Sequence, residues 1–232
     1  MTSIVLGSTA PASSGYFGAG AQEPYDHALT RGHGVLSLRP TTDTGMDTAS
    51  RIDVRRFLGD ASESERLLVE RLEGPILDIG CGPGRLVKAS ILAGRLALGI
   101  DTSKTATELA RANGLPVLRR NVFHQLPNEG EWGVALLFDG NIGIGGEPAA
   151  LLQRCAALVH GDGRIVVEAH NDTVRDRCFR GVITDDYGRS SLPFDWAEVG
   201  TLALHEYAQR AGLTLMREWS ERERSFAEYA PR

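Results

Sequence analysis

Apolar residues fall into short runs separated by glycine punctuation, and their spacing switches between the periods of helix and strand. From Ser62, the run Ser-Glu-Ser-Glu-Arg-Leu-Leu-Val-Glu-Arg-Leu predicts a helix. Ser62 and Glu65 suit a capping box, and Leu68 with Leu72 makes an i,i+4 apolar pair. Gly74 and Pro75 end that helix, and Pro-Ile-Leu-Asp-Ile begins a first strand. A second strand over 96–100 ends at Asp101, with Ser103 placed to cap the next helix and Gly114 to close it. A third strand lies over 117–119. The fourth, over 134–138, is unbroken apolar sequence of the kind buried on both faces of a parallel sheet. A helix over about 147–159 leads through a Gly-Asp-Gly turn to a fifth strand over 165–169.

This rhythm predicts an α/β fold, a doubly wound and mostly parallel sheet with helices on both faces. The end of the chain differs. A helix over about 199–211 stops at Gly212, and strands over 213–219 and 225–229 follow closely enough to pair antiparallel at the sheet edge. Residues 171–197 read as irregular, with a turn signal at Asp185-Asp186-Tyr187-Gly188, and are expected to form a lid or hairpin after the fifth strand. Residues 1–22 are mostly small and weakly anchored and are expected to be a flexible tail. The expected organisation is then one domain over 23–232, with 23–60 as an N-terminal cap.

At 232 residues, 42% hydrophobic and 24% charged, the chain is large enough for one full core and is not compositionally disordered. A net charge of −5 speaks against a nucleic-acid partner, which would select a basic face. Three widely spaced cysteines, an odd number, predict a reduced cytoplasmic protein and no disulfide framework. No apolar run approaches the roughly 20 residues of a membrane span. Ile4-Val5-Leu6 is too short for a signal-peptide core, so no membrane association is expected.

The chemistry concentrates in Ile76-Leu77-Asp78-Ile79-Gly80-Cys81-Gly82-Pro83-Gly84-Arg85-Leu86-Val87. A strand ending in an acid runs into a glycine turn that opens a helix, whose first amides favour a negative group nearby. The dinucleotide fingerprint wants its third glycine where Arg85 stands, which argues against NAD. Asp101 ends the second strand about 20 residues beyond the turn, where nucleotide folds place an acid for ribose hydroxyls; the competing reading is a cap for the next helix, a job Ser103 also suits.

The wording Asp-Ile-Gly-Cys-Gly-Pro-Gly resembles the first motif of class I S-adenosylmethionine-dependent methyltransferases, and the likeness covers roughly residues 60–170. It implies a seven-stranded Rossmann-like sheet with a reversed last strand, and methyl transfer to an O, N or C atom of a small-molecule acceptor such as a secondary metabolite. S-adenosylmethionine is the implied cofactor, with S-adenosylhomocysteine as product and no metal. The implied cofactor residues are Gly80, Cys81, Gly82 and Gly84 of the turn, Asp78 toward the methionine ammonium, and Asp101 with Thr102 at the ribose. Asn121 stands where relatives often bond the adenine amino group with an acid, and Val122 would pack on the adenine face. Tyr25, in a Tyr-Asp-His stretch, would close over the methionine end, and Cys81 reads as a packing residue, not a nucleophile.

Asp139, Gly140 and Asn141 follow the fourth strand and should meet both cofactor and acceptor, with Asp139 and Asn141 as catalytic candidates; the alternative is a tight turn bonding its own backbone. His170 after the fifth strand reads equally as a general base for the acceptor or as a strand-end histidine bonded to backbone. Pro193-Phe194-Asp195-Trp196 reads either as an aromatic wall or as a staple for the last long helix, and Arg175, Arg177 and Arg180 either meet a carboxylate or, as most such runs do, form a solvated face. Cyclisation, aminocarboxypropyl transfer and a non-catalytic cofactor-binding module stay open as alternatives, as does monomer against homodimer.

Overall fold

The computed structural model describes residues 16, 17, 19, 23–42 and 49–232; apart from Tyr16, Phe17 and Ala19, the expected tail lies outside them. In chain order the elements are α1 (Pro24–Arg31), β1 (Val35–Pro40), β2 (Ser50–Asp53), α2 (Arg55–Leu58), α3 (Glu63–Arg71), β3 (Ile76–Ile79), α4 (Arg85–Leu92), β4 (Ala97–Asp101), α5 (Lys104–Ala112) and β5 (Val117–Arg119). There follow β6 (Trp132–Leu137), a 3₁₀ segment (Asn141–Gly146), α6 (Pro148–Leu158), β7 (Val159–Ala169), β8 (Asp176–Asp185), β9 (Phe194–Val199), α7 (Thr201–Arg210), β10 (Leu213–Glu221) and β11 (Arg224–Pro231).

Seven strands form one sheet in the order β10-β11-β7-β6-β3-β4-β5. The pairs from β7 to β5 are parallel, and β11 runs antiparallel between β10 and β7. This is the fold of class I S-adenosylmethionine-dependent methyltransferases, with the reversed last strand that the sequence predicts. The pleat sends alternate residues to opposite layers. Leu77, Ala135, Ile165 and Val167 face α6 and α7, while Ile76, Val134, Leu136 and Val166 face α3 and α4. Every residue of β6 is buried, as its unbroken apolar run requires. The capping box forms: Ser62 Oγ accepts from Glu65 N–H, and Ser62 N–H donates to Glu65 Oε2 at 2.9 Å.

Three expectations change. The Gly-Asp-Gly stretch is no separate turn: β7 starts at Val159, and residues 160–163 bulge outward opposite Gly133 between two paired stretches of β6. Residues 171–197 are not irregular, because β8 and β9 pair over Asp176–Gly181 against Phe194–Val199. The last long helix starts at Thr201, since β9 claims Val199. Strand β8 carries Arg177, Arg180 and Gly181, and its residue types do not alternate apolar with polar although their burial does; its strand state comes from the neighbours on either side.

Those neighbours make a second, antiparallel sheet in the order β2-β1-β8-β9. The alternation of Leu36 and Leu38 in β1 is legible in the sequence. Both leucines are buried in a separate apolar cluster with Tyr25, Leu29, Ile183, Phe194 and Trp196. The two sheets are tied where His170 N–H donates to Val199 O at 2.7 Å.

Candidate active site

Between the carboxyl ends of β3, β4, β6 and β7 and the second sheet lies a cavity of about 1020 Å³. It opens at the point where strand order reverses, β3 beside β6, which is where open α/β sheets place ligands. Of the expected residues, Tyr25, Gly80, Cys81, Gly82, Asp101, Thr102, Asn121, Val122, Asp139, Gly140, Asn141 and His170 all line it. Asp78 and Gly84 do not.

The glycine turn is held by its neighbours. Asn141 Nδ2 donates to Ile79 O at 2.8 Å and to Gly80 O at 3.0 Å. A Cβ on Gly80 would meet that amide at 2.6 Å, so the clamp requires glycine there. The expected catalytic Asn141 therefore spends its amide on the turn. Gly82 N–H donates to Asp101 Oδ2 at 2.8 Å. Gly84, expected at the cofactor, faces inward instead: at φ 89° it opens α4, and an added Cβ would sit 2.8 Å from Leu115 Cδ1. The Cys81 side chain is buried with Val87, Ala110 and Val117, and burial pushes its thiol well above the usual range, which leaves it a packing group.

Asp101 also accepts from Ser103 N–H at 2.8 Å, while Ser103 Oγ accepts from Ala106 N–H and donates to Asp26 Oδ1. Ser103 is thus the helix cap, and the Asp101 carboxylate stays at the cavity. Burial raises its pKa against the lowering effect of the backbone amides. Asn121 Oδ1 accepts from Phe123 N–H at 3.0 Å, an Asx turn that leaves Phe123 exposed beside Gly145 rather than in the core. The Tyr25 ring packs edge-on against Phe17 and Phe57, and its hydroxyl has no hydrogen-bond partner among the described residues.

Asp78 lies behind the turn, 2% exposed, with Oδ2 buried and unpartnered among the described residues. Burial pushes its carboxyl up to about 7, although Arg85 pulls the other way. Such an orphaned oxygen costs about 1–3 kcal/mol unless a donor reaches it. An ammonium or its bound water is a donor of that kind, so the residues present fit a methionine amino group.

Beside Asp78 the sequence reading misses an ion-pair network. Arg85 Nη2 donates to Glu65 Oε1 at 2.9 Å and to Asp139 Oδ2 at 2.7 Å. Arg224, from β11, bridges Glu65 Oε1 at 2.7 Å and both oxygens of Glu168 at 2.8 and 2.7 Å. The half-exposed Arg56 lies 2.8 Å from Asp139 Oδ1 and 3.3 Å from Glu168 Oε1. Glu168 Oε2 accepts from Asp139 N–H at 2.7 Å, which holds Asp139 at φ 56°. Burial raises the Asp139 pKa, followed by the opposing pull of Arg85, whereas the arginines keep Glu168 below the usual carboxylate range despite burial. Asp139 is accordingly a fixed, ion-paired charge. An acid inside the apolar run Ile-Val-Val-Glu-Ala was the available sign of Glu168.

The second sheet supplies the far wall. Glu198 accepts from Ser50 Oγ at 2.6 Å, Arg175 Nε at 3.0 Å and Arg177 Nε at 2.8 Å, so the expected solvated face holds ion pairs. Trp196 lines the cavity while Phe194 is core, 1% exposed, so of that segment's two aromatics Trp196 contributes to the wall. His170 Nδ1 accepts from Asp172 N–H at 3.0 Å. The neutral ring must then carry its proton on Nε2.

No family model matches the chain. Over 156 residues it is 27% identical to a ubiquinone biosynthesis O-methyltransferase of Alkalilimnicola ehrlichii, a match covering 62% of this chain and 62% of that one. The likeness thus spans less than two thirds of that relative's length. Among solved structures, a SAM-dependent methyltransferase from Bacteroides fragilis in complex with S-adenosyl-L-homocysteine superposes with a TM-score of 0.69 at 18% identity, covering 90% of this chain and 93% of that one. The sugar N-methyltransferase KedS8 from a Streptoalloteichus species gives 0.57 at 18% identity, covering 97% and 100%.

Proposed function

We propose that this chain transfers a methyl group from S-adenosylmethionine to an O, N or C atom of a small-molecule acceptor. The observation that carries the reading is the Gly82–Asp101 bond, which presents a turn backbone and a carboxylate together at the switch-point cavity. In this reading Asp101 and Thr102 bind the ribose, Val122 and Asn121 the adenine, and Tyr25, Asp78 and the backbone at Gly80 and Gly140 the methionine end. The O-methyltransferase activity of the relative and the cofactor product in the Bacteroides structure support the same assignment.

When bound, the sulfonium supplies an already activated methyl group, so the chain's task is alignment and exclusion of water. Positioning of that kind can lower a barrier by roughly 7–11 kcal/mol. Asn141 and Glu168 serve it by fixing the backbone on which the methionine end rests. Residues 23–60 and 171–197 act together as a cap whose sheet walls the acceptor space. Among the described residues no helix is long and apolar enough to cross a membrane, and the cysteines are free, which fits a place in the reducing cytoplasm.

Calorimetric titration with S-adenosylhomocysteine beside NADH tests the reading. Micromolar binding of the first alone, weakened in Asp101→Ala, is the expected result. A folded sample that binds neither, or binds only NADH, overturns it.

A further inference from the structure

We propose that His170 serves the acceptor as a hydrogen-bond donor and not as a base, so that the acceptor is an oxygen acid (a carboxylic acid, or a phenol or enol acidified by its substituents) whose anion is populated near neutral pH. The proposal rests on the methyl-transfer reading above and names its substrate class. The backbone amide of Asp172 occupies Nδ1 and so leaves the neutral ring's proton on Nε2, the ring nitrogen with no partner among the described residues. A nitrogen that already carries a proton cannot remove one.

The other groups at the cavity do not replace it. Asp139 is paired with Arg85 and Arg56, Glu168 with Arg224, and Glu198 with Ser50, Arg175 and Arg177. Asp101 is bonded by two amides and Asp53 is paired with Arg55. Asp195 and Glu147 line the cavity as exposed residues, open to solvent. An aliphatic alcohol would find no recipient for its proton among the described residues. An acidic oxygen needs none, and Arg51, Arg56 and Arg120 at the same cavity favour its anion.

The acceptor proton leaves to bulk water before transfer. An oxygen lone pair then forms the bond to the methyl carbon while the carbon–sulfur bond breaks and its electron pair goes to sulfur, cancelling the two opposite charges. Throughout, Nε2–H donates to the oxygen, orients its lone pair and is not itself transferred.

The test uses the full chain with ¹⁵N-labelled histidine, saturated with S-adenosylhomocysteine, and His170→Gln to assign the ring signals. Long-range ¹H–¹⁵N correlation at pH 7.5 should find His170 protonated on Nε2; protonation on Nδ1 overturns the inference. With labelled methyl donor, 4-hydroxybenzoate should accept methyl where glucose, an aliphatic alcohol, does not, and transfer to glucose alone overturns it. His170→Gln, which keeps a donor amide, should hold kcat/KM within about threefold, whereas His170→Ala should lose about 10- to 100-fold, the loss of one hydrogen bond to a charged oxygen. A Gln variant as impaired as the Ala variant overturns the donor role. Failure to bind S-adenosylhomocysteine would instead sink the methyl-transfer reading, so the two failures are distinguishable.

Discussion

Titrating Asp78 offers the sharpest check on how the cofactor is held. Its carboxyl, pushed up to about 7 by burial, keeps its proton across the acidic range in the ligand-free protein. An arriving ammonium stabilises the carboxylate and returns its pKa toward the ordinary range, so binding must release a proton wherever Asp78 was still protonated. At pH 6 about nine-tenths of the molecules carry that proton, and at pH 8 about one-tenth. The apparent affinity for S-adenosylhomocysteine should then be about tenfold weaker at pH 6 than at pH 8, about 1.4 kcal/mol. Calorimetry in two buffers of different ionisation enthalpy should register about 0.9 proton released at the lower pH. The neutral isostere Asp78→Asn should abolish both effects. For the free protein the sign is reversed: a raised carboxyl favours the fold below the ordinary carboxylate range, and that contribution is lost as pH rises toward 7. Asp78→Asn should accordingly gain more stability relative to the parent at pH 8 than at pH 5. A flat affinity profile with no proton release would refute the placement of the ammonium at Asp78.

Arg85→Met removes the buried cation shared by Glu65 and Asp139, leaves each with one arginine, and should cost about 1.5–3 kcal/mol, seen as a fall in Tm of roughly 3–12 °C. Two glycines of one turn should separate: Gly84→Ala, strained against Leu115, should lose about 1–3 kcal/mol of stability and leave S-adenosylhomocysteine affinity unchanged in the folded sample. Gly82→Ala places its Cβ 3.2 Å from the Tyr25 hydroxyl and should weaken that affinity at least about tenfold by titration, a loss of roughly 1.4 kcal/mol. Asp101→Ala frees the Gly82 and Ser103 amides together and should weaken binding further than Gly82→Ala, checked by the same titration.

What the sequence discloses follows the range of the forces involved. The main sheet was legible because its strands are either apolar throughout, as in β6, or bounded by local signals such as the Ser62 capping box and the Ser103 cap. The glycine turn was legible for the same reason: glycine spacing is a local backbone requirement. The second sheet was largely hidden because β8 has no strand pattern of its own and is stabilised by β1, far away in sequence. The Arg85, Arg224 and Glu168 network was hidden because each charge is ordinary alone and acquires meaning only from partners on other elements. His170 was legible as a cavity residue, but its tautomer depends on an amide two residues away whose direction only the fold decides.

The same network bears on the order in which a site of this kind can come into being. Its members stand at 56, 65, 85, 139, 168 and 224, and Arg224 is the cation that engages both Glu65 and Glu168. During synthesis from the N-terminus, these acids are therefore made long before the arginine that neutralises them. Until β11 inserts between β10 and β7, a nascent domain carries excess negative charge beside the glycine turn, and the Arg224 contact to Glu65 then closes over 159 residues of sequence. Assembly of the site thus waits on β11: a chain cut before residue 224 would lack not an accessory edge but the counter-charge on which the centre of the sheet depends.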